Sequence, residues 1–549
     1  MLQDTADRAS RRWSRSTNGC VTCYASDAAA YSGIANGANT MFPFENEGED
    51  LALLNLAFSI TASHAAQFTP ESDENPGDWE GSPSETAVEA TESMGTTHLV
   101  LNRTANIEEQ ATLTTASSNA AALPLSTLTA RHVPSRCSIL FGPLEQDALY
   151  FFENVFSKLS PKTFLWSKLA IVLHHAYDDA AIMHLLLASC LSTVARGHSD
   201  HQVLRTAKSH FKRGTTRFVD GIQEHSYNHA QAFMVFWLLQ LTYRAIWDGK
   251  SRSAMKNLST ALVNYVHRHR ILELFGSNRG LFESLSGSAS AEGDFAADSS
   301  SLNPVAMAKK SLLASLLLFT AYEDLDSEFC GSGGQFAELI LSGNDTSRSL
   351  FACSRNIHAD FFGSSYPWEE LMDDVERSRP LELHFFSNIC LNRLNRAHAC
   401  GIDVEELREI EAILHTLRED YSAIFKLAEA PYSAGRKLIE TSYSIVAHFY
   451  AILVCVLVDM ASTAPSESLQ REFAVAKDNL LRVIFRMATQ CTDNPVMWRN
   501  QWALFVMARE SNDEIHRDWL LHKLGNSSYA AALKDSSAQD FNPSVSRDD

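Results

Sequence analysis

Between Arg15 and Arg103 the sequence has no lysine and no arginine, while thirteen carboxylates fall between Asp27 and Glu92. Nucleic-acid affinity comes largely from cations that neutralise phosphates, so this stretch excludes itself as a DNA or RNA binder. The residues after 134 are net acidic as well, in a 549-residue chain of net charge −20. Any DNA contact is left to Arg8, Arg11, Arg12 and Arg15 at the N-terminus.

Other absences narrow the class further. The first residues hold no apolar run of the kind that directs secretion, so no export signal is expected. The ten cysteines lie mostly at apolar helix positions, as Cys190, Cys390 and Cys455 do, and are expected to be reduced core residues. The most apolar run, Ile445 to Val458, is short for a membrane span and contains His448, so a buried helix is expected and no membrane partner. Strand-type alternation is nearly absent, and no fixed period of 20 to 50 residues marks a repeat array. There is no Gly-x-Ser-x-Gly, P-loop, dinucleotide fingerprint or His-Glu-x-x-His, and the chain is not expected to be an enzyme.

What is present divides the chain unevenly. Residues 1–23 carry the arginines and a Cys-x-x-Cys at Cys20 and Cys23, which supplies half the ligands of a tetrahedral zinc site. Residues 24–134 are rich in Ala, Ser, Thr, Asn and Gly and bury too little apolar surface to offset their ordering entropy, which predicts a disordered acidic arm. Within it, Met41 to Phe58 alternates acids with Phe42, Phe44, Leu51, Leu53, Leu54, Leu56 and Phe58. Two readings stay open for that segment: a helix formed on a partner's groove, or one incidental apolar patch.

Helical patterning starts near Ser135. In Leu165 to Arg196, Asp178 and Asp179 look like N-caps for a helix with Ile182, Leu185, Leu186, Ser189, Cys190 and Val194 on one face, and Gly197 looks like its stop. Ser199 and Asp200 cap a second helix, with Leu204, Ala207, Phe211, Phe218 and Ile222 inward. Ala230 to Trp247 is apolar nearly all round, which requires cover on several sides. After a Gly/Ser/Ala-rich loop insertion at 276–304, helices are expected at Val305 to Tyr322, Pro380 to Arg396, Val404 to Ala428, Ser433 to Met460 and Leu469 to Gln490. The fold class predicted is all-α: one large multi-helix domain over 135–525, preceded by the disordered acidic arm and followed by a flexible tail, 526–549.

Few residues invite a chemical reading. His174, His175, Asp178, Asp179 and His184 crowd one segment, but adjacent histidines point about 100° apart on a helix, which disfavours joint ligation. Two neighbouring carboxylates at a helix start are caps before they are a cation site, which needs several converging oxygens. Trp498 and Trp502, four residues apart, are expected to pack inward, and a large all-α unit has room for a small-molecule effector between helices.

Three stretches then point to one family. Ser14 to Cys23, with Asn18-Gly19-Cys20-Val21-Thr22-Cys23, resembles the opening of the fungal binuclear zinc-cluster (Zn2Cys6) DNA-binding domain. Ala148 to Trp247 is similar to the fungal-specific transcription factor domain that accompanies such clusters. Trp502, Phe505, Glu510, Asp513, Arg517, Trp519 and Leu520 are similar to that domain's closing helices. The resemblance implies a nuclear, RNA polymerase II-type transcription factor that binds DNA through a zinc module, dimerises and contacts the transcription machinery through its acidic arm. Here the pattern breaks: Cys23 is followed by Tyr24-Ala25-Ser26-Asp27, and the next cysteine is Cys137. Cys20 and Cys23 alone carry over as zinc ligands. Two thiolates cannot close a six-thiolate site whose metal supplies folding free energy on the order of 10 kcal/mol. DNA binding by this chain is therefore not expected, although transcriptional regulation is. The contrasting expectation is an all-helical cytoplasmic scaffold or helical enzyme with no role in transcription.

Overall fold

Several helix starts in this chain are set by short polar side chains. Ser167 Oγ accepts from the Ala170 N–H, Asp200 Oδ1 from Gln202 and Val203, Asn344 Oδ1 from Ser347, Asp403 Oδ1 from Glu405, and Asp513 Oδ1 from Ile515 and His516. Each satisfies a donor that a helix N-terminus would otherwise orphan. The computed structural model describes residues 139–533, except 157–161, 199, 225, 247–248, 277–303, 329–332, 431–436, 491–496, 498 and 526. The described residues are 87% helical and include no strand. All belong to one unit, Leu51–Asp549. The acidic arm, Cys20, Cys23, Trp498 and most of the 276–304 insertion lie outside the described residues.

The helices, in chain order, are α1 (Pro143–Asn154), α2 (Lys168–Asp178), α3 (Ala180–His198), α4 (His201–Gln223), α5 (His229–Ile246), α6 (Gly249–Arg268), α7 (Pro304–Glu328), α8 (Gln335–Ile340), α9 (Asp345–Ser354) and α10 (Ile357–Phe362). They continue as α11 (Trp368–Glu376), α12 (Ser378–Cys400), α13 (Val404–Asp420), α14 (Ser422–Glu429), α15 (Lys437–Thr463), α16 (Glu467–Gln490), α17 (Gln501–Arg509), α18 (Glu514–Leu524) and α19 (528–533).

Two helices are each wrapped by others. α3 packs on α1, α2, α4 and α5, and α15 on α12, α13, α14, α16 and α17. α7 touches α5, α6, α8, α9, α10 and α12, and α12 in turn touches α15, so α7 and α12 join the two groups. α15 is long and apolar enough to cross a membrane, yet 72% of its most apolar window is buried in the protein, with Phe449, Ile452, Val454 and Val456 fully covered. It is the core helix that Ile445 to Val458 foretold.

Several expectations need correction. Asp179 alone caps α3, its Oδ1 accepting from Ala181 at 2.8 Å and Ile182 at 3.0 Å, while Asp178 is the exposed last residue of α2. α3 runs through Gly197 to His198, because the chain has no need to stop before Asp200 starts the next helix. The face read from the 3.6 period is too narrow: every residue from Ala181 to Ser192 is buried. The Val404 to Ala428 pattern divides at Tyr421 into α13 and α14. The core also continues beyond 525, since Tyr529, Ala530 and Leu533 of α19 are buried.

Close approach explains two glycines. A Cβ at Gly214 in α4 would stand 2.7 Å from Leu185 Cγ in α3, so the glycine lets those helices touch. Gly333, at φ +84°, precedes α8 where Asp324 of α7 collects the N–H groups of Gly334 and Ala337 at 3.0 Å and the Ser259 hydroxyl of α6 at 2.8 Å. There a Cβ would lie 2.7 Å from Asp324 Oδ1.

Candidate functional site

The sequence-flagged chemical groups do not converge. His174 is exposed and His175 half-buried on α2, their rings 5.8 Å apart and edged against Phe361. His184 is buried in α3, with Nδ1 2.8 Å from Nδ1 of His210 in α4, whose Nε2 lies 3.1 Å from Glu145 Oε1. Asp179, besides its cap, accepts from the Tyr227 hydroxyl at 3.4 Å. Among the described residues one trio could hold a metal ion, Glu411, His415 and Glu472, and none of the three lines the cavity described next.

The prominent feature is a cavity of about 1030 Å³ between the two helix groups, walled by α1, α2, α3, α5, α7, α9, α10, α11, α12, α15, α17, α18 and α19. Eight cationic side chains line it (Lys162, Lys168, Arg196, Arg244, Arg355, Arg377, Arg499 and Lys523) against three carboxylates, Glu323, Asp326 and Asp374. In a chain of net charge −20 this concentration of cations makes the interior electrostatically unlike the whole.

Three polar clusters make up the wall. In the first, Asp374 of α11 is the shared carboxylate. Lys162 Nζ lies 3.0 Å from its Oδ1, the Tyr366 hydroxyl donates to its Oδ2 at 2.6 Å, and His358 Nδ1 is 3.5 Å from the same oxygen. Burial opposes its ionisation, but the hydrogen bonds of His358 and Tyr366 and the charge of Lys162 hold Asp374 far below the usual carboxylate range. Burial pulls His358 down to about 4, so it is neutral at pH 7. Arg377 reaches Asp373 and Asp374 at 3.7 Å, and Arg355 donates Nη2 to the Asp374 carbonyl at 3.0 Å.

In the second, Arg244 of α5 is ion-paired to Glu323 and, at 3.5 Å, to Asp326, both on α7, and meets the Tyr529 hydroxyl at 2.7 Å. Arg196 donates to the Arg244 carbonyl. Two carboxylates compensate this cation locally.

The third is aromatic. His448 Nε2 donates to Asn388 Oδ1 at 3.1 Å, and its ring lies between His384 and Trp502, each 4.9 Å away. Burial pulls His384 down to about 4, and burial with His384 beside it takes His448 well below the ordinary histidine value. Trp502 packs inward as expected, 3% exposed, and its inward face is cavity wall.

Sequence reasoning anticipated room for an effector, but it named Val194, His448 and Trp502 only as residues of packed helices and none of them as cavity wall. The other wall residues come from elements far apart in sequence, and a lysine or arginine such as Lys168 or Arg355 carries no local sign that it faces inward. The chain matches no protein-family model, no curated protein and no solved structure.

Proposed function

We propose that the chain is a transcriptional regulator of the fungal zinc-cluster type, nuclear, in which the helical domain senses a small molecule and the acidic arm contacts the transcription machinery. The observation that carries the sensing role is the cavity between the two helix groups: it touches helices of both, so an occupant would contact α3, α7, α12 and α15 together. A concave site of this size between helices is where an effector of an all-α unit would bind. The regulatory role is supported by the order of resemblances along the sequence, and the incomplete Cys20-Cys23 module argues that DNA is reached through a partner with a DNA-binding module of its own.

The test is a fusion of residues 24–134 to a heterologous DNA-binding domain, read by reporter output. Activation that falls when Phe42, Phe44, Leu53 and Leu54 are replaced by Ala is expected. No activation with those four residues intact would count against the activating arm.

A further inference from the structure

We propose that the cavity binds an organic acid, its anionic head held by Lys168, Arg355 and Arg377 and its apolar body laid along Trp237, Phe319 and Tyr322. The claim deepens the sensor reading by naming the ligand class.

The wall clusters differ in how their charge is met. Arg244 faces Glu323 and Asp326, and Lys162 faces Glu370 at 3.3 Å and Asp374 at 3.0 Å. Among the described residues neither Lys168 nor Arg355 has a carboxylate within ion-pairing distance. The ammonium of Lys168 sits 3.9 Å over the ring of Phe319, a contact that attracts a cation without neutralising it. Arg377, its side chain 3% exposed, has a buried Nη2 with no hydrogen bond, beyond its longer ion contacts to Asp373 and Asp374.

A desolvated cation without a counter-charge is costly, and Lys168 and Arg355 on one wall, with Arg377 beside them held only by ion contacts of 3.7 Å, mark where a negative charge is missing. Lys168 registers this: burial, and then the charge of Arg355, pulls its amine from the ordinary lysine value to about 7. Lys168 and Arg355 are half-buried, and both line the cavity. A guanidinium pair with one lysine suits a carboxylate or a phosphate ester, both of which present two or more acceptor oxygens in a fork. Beside them, Trp237, Phe319, Leu318 and Tyr322 give an apolar and aromatic floor on α5 and α7.

The experiment uses the full chain and a matched series of probes: 4-phenylbutyrate, 4-phenylbutyl phosphate, the neutral 4-phenylbutanamide and inorganic phosphate. Binding is measured by calorimetry and by thermal shift. An acid probe is expected to bind and stabilise while the amide does neither, and the preferred acid separates a carboxylate site from a phosphate site. Lys168→Met and Arg355→Met should each weaken that acid about tenfold or more, as loss of a hydrogen bond to a charged group does. Arg471→Ala, an exposed cation outside the cavity, should leave it unchanged. Arg355→Lys and Lys168→Gln provide milder variants should either methionine form fail to fold, judged by circular dichroism. The site is overturned if the amide binds as well as the acids, if no acid stabilises the wild type beyond its effect on the two variants, or if inorganic phosphate equals the organic acids. Binding with a silent reporter would remove the transcription reading alone. A working reporter without binding would remove this site alone.

Discussion

His184 and His210 meet through their Nδ1 atoms at 2.8 Å inside the α3–α4 interface, so one ring donates and the other accepts. With His210 Nε2–H directed at Glu145, 3.1 Å away, the neutral arrangement has His184 donating and His210 accepting. A second proton on His184 would go to its Nε2, in the buried interface, and burial, then the charge of His210 alongside, pulls its ionisation down to about 4.

Acid should destabilise the fold through its histidines. His184, His358 and His384 titrate near 4 in the folded chain and His448 well below its ordinary value, against 6.5 when unfolded. Their contribution is complete above about 6.5 and is lost as pH falls towards 4, at up to about 1.4 kcal/mol per pH unit for each group. Asp324 and Asp326, which burial pushes up to about 6, act in the opposite sense below that pH. Urea unfolding at pH 7 and pH 5 should show a net loss, and His384→Gln should flatten the slope.

The two neighbouring aspartates should behave differently. Asp179→Ala removes the oxygen that caps α3 and should cost ~1 kcal/mol in chemical denaturation, whereas Asp178→Ala should fall within about 0.5 kcal/mol of wild type. Equal losses at both positions would refute the assignment of the cap.

Lys168→Met should raise the melting temperature of the ligand-free protein. The folded amine is at about 7 and the unfolded one at 10.5, so its ionisation opposes folding fully below pH 7 and ceases to do so above 10.5. The advantage of the variant should therefore be largest at pH 7 and below, and shrink between pH 7 and 10. Lys162, Arg355, Arg377, His358 and Asp374 surround the same cavity face and are unchanged by the substitution. A variant less stable than wild type at pH 7 would show that Lys168 is paired after all.

Asp374→Asn should be among the most damaging single changes. It removes the negative charge that Lys162 and Arg377 share and replaces one of the two acceptor oxygens by an NH2 donor, and breaking a buried ion pair typically costs about 3–5 kcal/mol. Equilibrium unfolding at pH 7 measures the loss.

Zinc content tests the resemblance at its weakest point. With Cys20 and Cys23 as the sole cysteines before Cys137, elemental analysis should return fewer than about two zinc ions per chain. Two would require ligands that the resemblance does not supply.

Much of the fold was legible because its signals are local. Asp179 and Asp200 stand where a cap must stand, and most residues of the apolar stretches within 230–245 and 445–458 are buried in α5 and α15. The short helices α8 to α11 were not anticipated, since a six-residue helix such as α8 has too few turns to show a period, and its start is fixed by Asp324 from α7. The cavity was illegible for the same reason on a larger scale. Lys168, Arg355 and Arg377 lie on α2, just after α9 and just before α12, and what sets the first two apart, the lack of a carboxylate within ion-pairing distance among the described residues, is decided by tertiary packing and not by sequence neighbours.

Tyr529 gives the far end of the chain a meaning its composition does not suggest. Its hydroxyl meets Arg244 at 2.7 Å and its ring lies 5.5 Å from Phe505, so α19, the last helix among the described residues, closes against α5 and α17. A protein cut after Leu524 would keep every longer helix and still lose that closure, opening the cavity from the side of Ser527 and Ser528.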